Sequence, residues 1–176
     1  YVANVAETCD PENPVQLITN VQVAPNNVAD EQLMVEALPE LKARTDLETL
    51  ITDGAYGSPE GDKLLHELKV QQVPTGFTGR PPNPDLFHLS DWDIALDEEE
   101  MPCAATCPGG QTISLTRSPS GSFSGRLDPD LCALCTFFQT ERCEARIASR
   151  DGHYRVRFTI EEYWLSCRRR AAATRK

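Results

Sequence analysis

The sequence predicts a mixed α/β fold. Three observations carry that expectation. Short β-branched runs and helical patterns fill the first 75 residues in the order β-β-α-β-α-β. The first two runs are close enough to form an antiparallel hairpin, and the remainder alternate as βα units do. Beyond Pro74 the periodicity fails, and five of the seven cysteines fall between residues 103 and 143.

Taken in order, residues 1–9 (YVANVAETC) alternate in polarity and read as a strand. Asp10-Pro11-Glu12-Asn13-Pro14 is a turn, marked by its two prolines, and residues 15–23 (VQLITNVQV) form the second strand. Ala24-Pro25-Asn26-Asn27 breaks the pattern, with Asn27 as the expected N-cap of a helix. That helix carries Leu33, Val35, Ala37, Leu38 and Leu41 to about Arg44, with Pro39 placed to bend or divide it. A strand over 48–52 ends at Asp53. A helix over about 59–69 turns Leu64, Leu65 and Leu68 inward, and Val70–Val73 is a further short strand.

Residues 76–102 read as an irregular connection rich in Gly and Pro, with the acidic run Asp97–Glu100. Residues 103–145 are a cysteine-rich insertion. In 146–176, strands are expected at 145–149 and 153–160, and a basic helix from Glu161 to about Ala173. The chain of 176 residues accommodates one domain with a real core, or one domain plus a small appendage. Tyr1 begins in mid-pattern, so the chain reads as a piece of a longer protein.

Net charge is -10, but it is divided unevenly. Residues 1–114 hold 5 Lys and Arg against 20 Asp and Glu, whereas residues 115–176 hold 12 against 7. The basic end, with Arg168, Arg169, Arg170, Arg175 and Lys176, suits either contact with phosphate or a solvated helix face. A mean hydropathy of -0.41 and the lack of any ~20-residue apolar run exclude a membrane-spanning helix from the expectation. An odd cysteine count with clustered spacing and no signal pattern points to a reducing, cytoplasmic setting.

Two constellations carry chemistry. In Leu50-Ile-Thr-Asp-Gly-Ala-Tyr-Gly-Ser58 an apolar run ends in an acid, and a helix opens just after two glycines around an aromatic. Asp53 therefore stands at the C-terminal end of a buried strand, where a hard divalent ion such as Mg2+ would find one of its oxygens. Asp-Gly is also a common turn pair, and a purely structural role explains it too. In the second constellation, Cys132-Ala-Leu-Cys135 is a Cys-x2-Cys pair, Cys107 lies in a Pro-Gly-Gly turn, and Cys143 follows. Four such thiolates suit a closed structural zinc site, with Cys103 as a substitute ligand; reduced buried thiols and disulfides are the alternatives. None of His66, His88 and His153 has a second histidine at metal spacing, and Trp92 and Trp164 suit core anchoring better than base stacking.

Several segments resemble the catalytic domain of DDE-type transposases of bacterial insertion sequences. They are Tyr1–Thr8, Gln16–Val21, Asn27–Asp30 and, most specifically, Ile51-Thr-Asp-Gly-Ala-Tyr-Gly57. Cys107-Pro-Gly-Gly110, Cys132–Cys135 and Cys143 resemble the cysteine-bearing insertion of one branch, and Phe158–Tyr163 with Arg168–Arg170 resemble the approach to its last catalytic block. The resemblance implies a ribonuclease H-like sheet lacking its first strand, so that residues 1–75 are part of the catalytic core. It implies DNA cleavage and joining by phosphoryl transfer with Mg2+ or Mn2+, DNA ends and target as partners, and a homodimer. Asp53 would be the second acid of the triad, Gly54 and Gly57 would shape its turn, and Tyr56 would pack beside it. The first Asp would precede Tyr1 and the last Glu would follow Lys176, since Glu161 and Glu162 match the approach and not the catalytic position. The chain alone is then expected to be inactive. A zinc-stabilised DNA- or protein-binding module and a ribonuclease H-like nuclease unrelated to mobile elements are the competing expectations.

Overall fold

In a computed structural model of the chain, which describes residues 1–10, 12–79, 81–143 and 152–174, Val2–Glu7 (β1) pairs antiparallel with Ile18–Ala24 (β2). Val5 faces Val21 across the ladder, and the register slips between Ala6 and Glu7. Asn4 and Ala6 point to the half-buried side, while Val5, Val21 and Val23 lie on the exposed side. The Asn4 amide donates to Gln22 Oε1 at 2.8 Å, locking the cross-strand pair.

Asp30–Arg44 (α1) follows. Its N-cap is Ala29, not Asn27 as expected. Asn27 lies inside a turn that Val28 N closes on the Pro25 carbonyl at 3.1 Å, so the helix starts later. Asp30 and Glu31 in the first turn and Lys42 and Arg44 in the last suit the helix dipole. Pro39 neither divides nor ends the helix. Leu33, Met34, Leu38 and Leu41 form its buried stripe.

Thr49–Thr52 (β3) and Gln71–Pro74 (β4) pair in parallel, Thr49 with Gln71 through Thr52 with Pro74. Parallel strands need a crossover, and Pro59–Glu67 (α2) supplies it. Ser58 caps that helix by accepting from Gly61 N at 3.1 Å, with Pro59 in its first turn. Met34, Leu38, Leu65 and Val70 make the core of this unit, and Leu47, Leu50, Tyr56, Leu64 and Leu68 pack around it. The fold class is thus a mixed α/β chain with several small sheets.

Contacts divide the chain at Gly79, into a unit of residues 1–79 with 171–176 and a unit of residues 80–170. The second unit holds more strand than the sequence suggests. Asp93–Leu96 (β5), Pro102–Thr106 (β6) and Thr112–Ser114 (β7) form one antiparallel sheet. Thr116–Arg117 (β8), Phe123–Leu127 (β9) and Tyr154–Phe158 (β10) form another. Pro129–Leu134 (α3) and Thr136–Gln139 (α4) are short, and Ile160–Thr174 (α5) is the long helix near the end of the chain.

Within residues 76–102, β5 is regular strand. The second unit has its own apolar core, in which Trp92, Ile94, Ala105, Ile113, Phe123, Leu127, Cys132 and Phe158 are buried together. Phe123 and Phe158 stack at 5.6 Å between centroids. The strand expected at 145–149 lies outside the described residues. No helix among the described residues is long and apolar enough to cross a membrane.

Leu38 is fully buried at the centre of the first unit and Phe123 is almost so in the second. Leu38→Ala is expected to cost about 2–5 kcal/mol and Phe123→Ala about 3–5 kcal/mol. Hydrogen exchange read by mass spectrometry should show lost amide protection in the unit that carries each change; unchanged protection there would contradict these cores.

Candidate functional site

Asp53 directly follows β3 and is exposed. Its Oδ1 accepts from Ala55 N at 2.8 Å and caps the single 3-10 turn Gly54–Tyr56. The second oxygen is open to solvent chemistry. Gly54 is closely approached by backbone: a Cβ there would lie 3.0 Å from the Gly76 carbonyl oxygen and 3.1 Å from Phe77 C. The turn after β3 is thereby pressed against the chain leaving β4, which fixes the position of the carboxylate. Gly57 ends the 3-10 turn in extended conformation and delivers Ser58 to cap α2.

Tyr56 does more than pack. Its hydroxyl donates to Asn4 Oδ1 at 2.8 Å, joining the β3 turn to the β1 edge. Burial raises the phenol above its ordinary range, helped by the carboxylates of Asp30 and Asp53, so it stays a donor. Beneath it, buried Gln72 donates from Nε2 to Thr52 Oγ1 at 2.9 Å and reaches the Tyr56 carbonyl at 3.5 Å. Sequence reasoning missed Asn4, Asp30 and Gln72. Asn4 and Asp30 each lie in a stretch of the quoted resemblance, but only the folded contacts bring them to Asp53's neighbour.

Among the described residues, β1 pairs only with β2 and β3 only with β4. The two open edges line one cleft of about 900 Å³, with Asn4–Asp10 on one side and Asp46–Asp53 on the other, over Met34 and Leu38. Asp53 stands at the end of that cleft where Asn4 meets Tyr56.

The cysteine cluster lies in the second unit. Among the described residues, no disulfide joins any of the seven cysteines. Cys107 opens the turn between β6 and β7, with Gly110 N donating to the Cys107 carbonyl at 2.8 Å and Gln111 N to its sulfur at 3.4 Å. Gly110 has φ +86°, a conformation that needs glycine. A Cβ on Gly109 would meet Cys135 Sγ at 2.8 Å and Cys107 Sγ at 3.6 Å, so both sulfurs flank this one residue. Cys132 is buried on α3, and its thiol is pushed up to about 11, by burial first and then by Cys143, Cys107, Cys135 and Asp128. Cys107 and Cys135 therefore flank one glycine, and Cys132 lies within electrostatic reach of Cys107, Cys135 and Cys143. Cys103 is not among them, and its sulfur meets the Ala95 carbonyl at 3.5 Å. Among the described residues, no three His, Cys, Asp or Glu side chains are drawn together tightly enough to hold an ion as they stand.

The basic helix is partly committed to structure. Arg170 donates from Nη2 to the Trp92 carbonyl at 2.8 Å, and Arg168 and Arg169 are half-buried. Trp92 itself is 6% exposed in the core, as the anchoring reading expects. Arg175 and Lys176 lie outside the described residues. Compared with protein-family models, curated proteins and solved structures, the chain matches none.

Tyr56→Phe should remove the bond to Asn4 and lower stability by about 0.5–1.5 kcal/mol. Urea unfolding with an unchanged midpoint would show that the bond does not hold the turn to β1.

Proposed function

We propose that the chain is part of the catalytic domain of a DDE-type DNA transposase, with a ribonuclease H-like sheet, acting on DNA in the cytoplasm. The observation that carries the reading is the place of Asp53: it ends the first strand of a parallel β-α-β unit, facing a cleft that an antiparallel hairpin closes on the other side. Ligands of α/β sheets gather at the carboxyl ends of strands, where the backbone turns away and leaves room. The open edges of β1 and β3 add support. A strand lying between them, parallel to β3 and antiparallel to β1, would complete a five-stranded sheet and end beside Asp53. That is where the first acid of the resembling enzymes would stand.

In this reading Asp53 would be one of the residues holding a Mg2+ or Mn2+ ion, with its rotamer fixed by the bond that Oδ1 accepts from Ala55 N. One carboxylate does not suffice for a hard divalent ion, so the site takes further acids from other elements. When bound, the metal would activate a water and then a 3′-hydroxyl for in-line attack on a DNA phosphodiester. The chain's own residues position: Gly54 sets the turn, Gln72 supports it from below, and Tyr56 ties it to Asn4. Arg168 and Arg169 remain the candidates for DNA backbone contact, and a homodimer on paired DNA ends is part of the same proposal.

A second reading, a non-catalytic zinc-stabilised DNA- or protein-binding module, is favoured by one observation. The Asp53 cap on Ala55 N is a sufficient structural use of that carboxylate. The test separates the two. In the full-length protein that contains this chain, assayed with Mg2+ on the terminal DNA of its own element, Asp53→Asn should lower cleavage by at least about 100-fold, because several kcal/mol of metal stabilisation are lost. DNA binding should persist. Cleavage unchanged in Asp53→Asn, or no cleavage by the unmodified protein, would reject the catalytic reading; cleavage without strand joining would point to a nuclease.

A further inference from the structure

The cysteine neighbourhood has features that a set of incidental buried thiols does not need. Cys107 and Cys135 come from different elements, yet both sulfurs lie within 3.6 Å of the point where a Gly109 Cβ would be. A side chain there would have to displace the Cys135 sulfur. The Cys107 turn is built to present its sulfur: Cys107 N donates to the Gln111 carbonyl at 3.0 Å, and Gln111 N returns a bond to the sulfur.

The second pair is fixed to the first by backbone. Gln111 Oε1 accepts from Asp128 N at 2.6 Å, tying the Cys107 turn to the residue that caps α3. Cys135 N then closes on the Cys132 carbonyl at 3.1 Å, which sets the two cysteines of the Cys-x2-Cys pair on one turn. Cys143 is held independently. It forms a parallel bridge with Phe87, whose N–H donates to the Arg142 carbonyl at 2.7 Å while the Arg142 guanidinium lies 4.8 Å over its ring. The Cys107 turn and the Cys132–Cys135 turn are thus joined by backbone, and Cys143 follows on the segment that Phe87 holds, with the Phe87 ring set edge-on against Phe137 at 4.9 Å, two residues past Cys135.

We propose that Cys107, Cys132, Cys135 and Cys143 form a closed structural zinc site. The arrangement leaves side-chain closure as the remaining step, since four thiols have no strong attraction for a common centre except the ion itself. On binding, four S–H bonds break, four Zn–S bonds form, and four protons pass to solvent. Zinc suits this donor set because soft thiolates in tetrahedral number are its structural preference, and four protein ligands leave no open position for catalysis. The Cys103 sulfur is instead turned toward the Ala95 carbonyl. The site does not depend on the role of Asp53, which lies in the other unit.

The test is metal content and coordination of the purified chain, expressed with zinc in the medium. About one zinc per chain is expected, with X-ray absorption showing four sulfurs at about 2.3 Å. Cys132→Ser and Cys135→Ser should each lose most of the zinc, while Cys9→Ser, Cys103→Ser and Cys167→Ser should keep it. Should a ligand variant fail to fold, the absorption spectrum of the unmodified chain loaded with cobalt decides, since tetrahedral thiolate coordination gives intense visible bands. Less than half an equivalent of zinc with all thiols titratable would overturn the site. So would an oxygen- or nitrogen-containing first shell, or loss of zinc in Cys103→Ser alone.

Discussion

The parallel pairing of Thr49–Thr52 with Gln71–Pro74 is the constraint on which the candidate site rests. A parallel pair cannot be joined by a tight turn, so the chain must leave β3, cross over as a helix and return. The departure point is Asp53. The crossover is short, and Asp53 and Ser58 each cap the helical turn that follows it. The return brings Gly76 and Phe77 against Gly54, where a Cβ would meet backbone at 3.0–3.1 Å. The carboxylate is held by this geometry and by one backbone N–H, with Gln72 and Tyr56 transmitting the position to β1.

Polar contacts, more than apolar ones, connect the hairpin to the βαβ unit. Asn4 receives the Tyr56 hydroxyl and gives its amide to Gln22, and Gln22 in turn donates to the Leu33 carbonyl on α1 at 3.0 Å. The consequence is a cleft whose two walls are sheet edges with their own hydrogen-bonding groups, over an apolar floor of Met34 and Leu38.

Much of the first unit was legible in the sequence because its signals are local. β-branched runs marked β2 and β3, helical spacing marked α1 and α2, and Ser58-Pro59 marked the start of α2. The N-cap at Asn27 was misread because Asn serves turns as well as caps, and a bond from Val28 to Pro25 takes it into a turn. The second unit was much less legible. Pro102-Cys-Ala-Ala-Thr106 and Phe123-Ser-Gly-Arg-Leu127 carry few β-branched residues, and their strands exist through pairing across the sheet. At the site, Asp53 and the four cysteines stood out as motifs. Asn4, Gln72 and the commitment of Arg170 to the Trp92 carbonyl did not, because each depends on a contact between residues at least 16 positions apart.

The central claim is that Asp53 is a divalent-metal ligand and not only a turn cap. Mn2+ is paramagnetic and broadens nearby amide resonances, so its place on the full-length protein can be read directly by nuclear magnetic resonance. Broadening centred on the amides of Asp53–Gly57 and abolished in Asp53→Asn is the expected result. Broadening confined to the acidic run Asp97–Glu100, or unchanged by Asp53→Asn, would contradict the account.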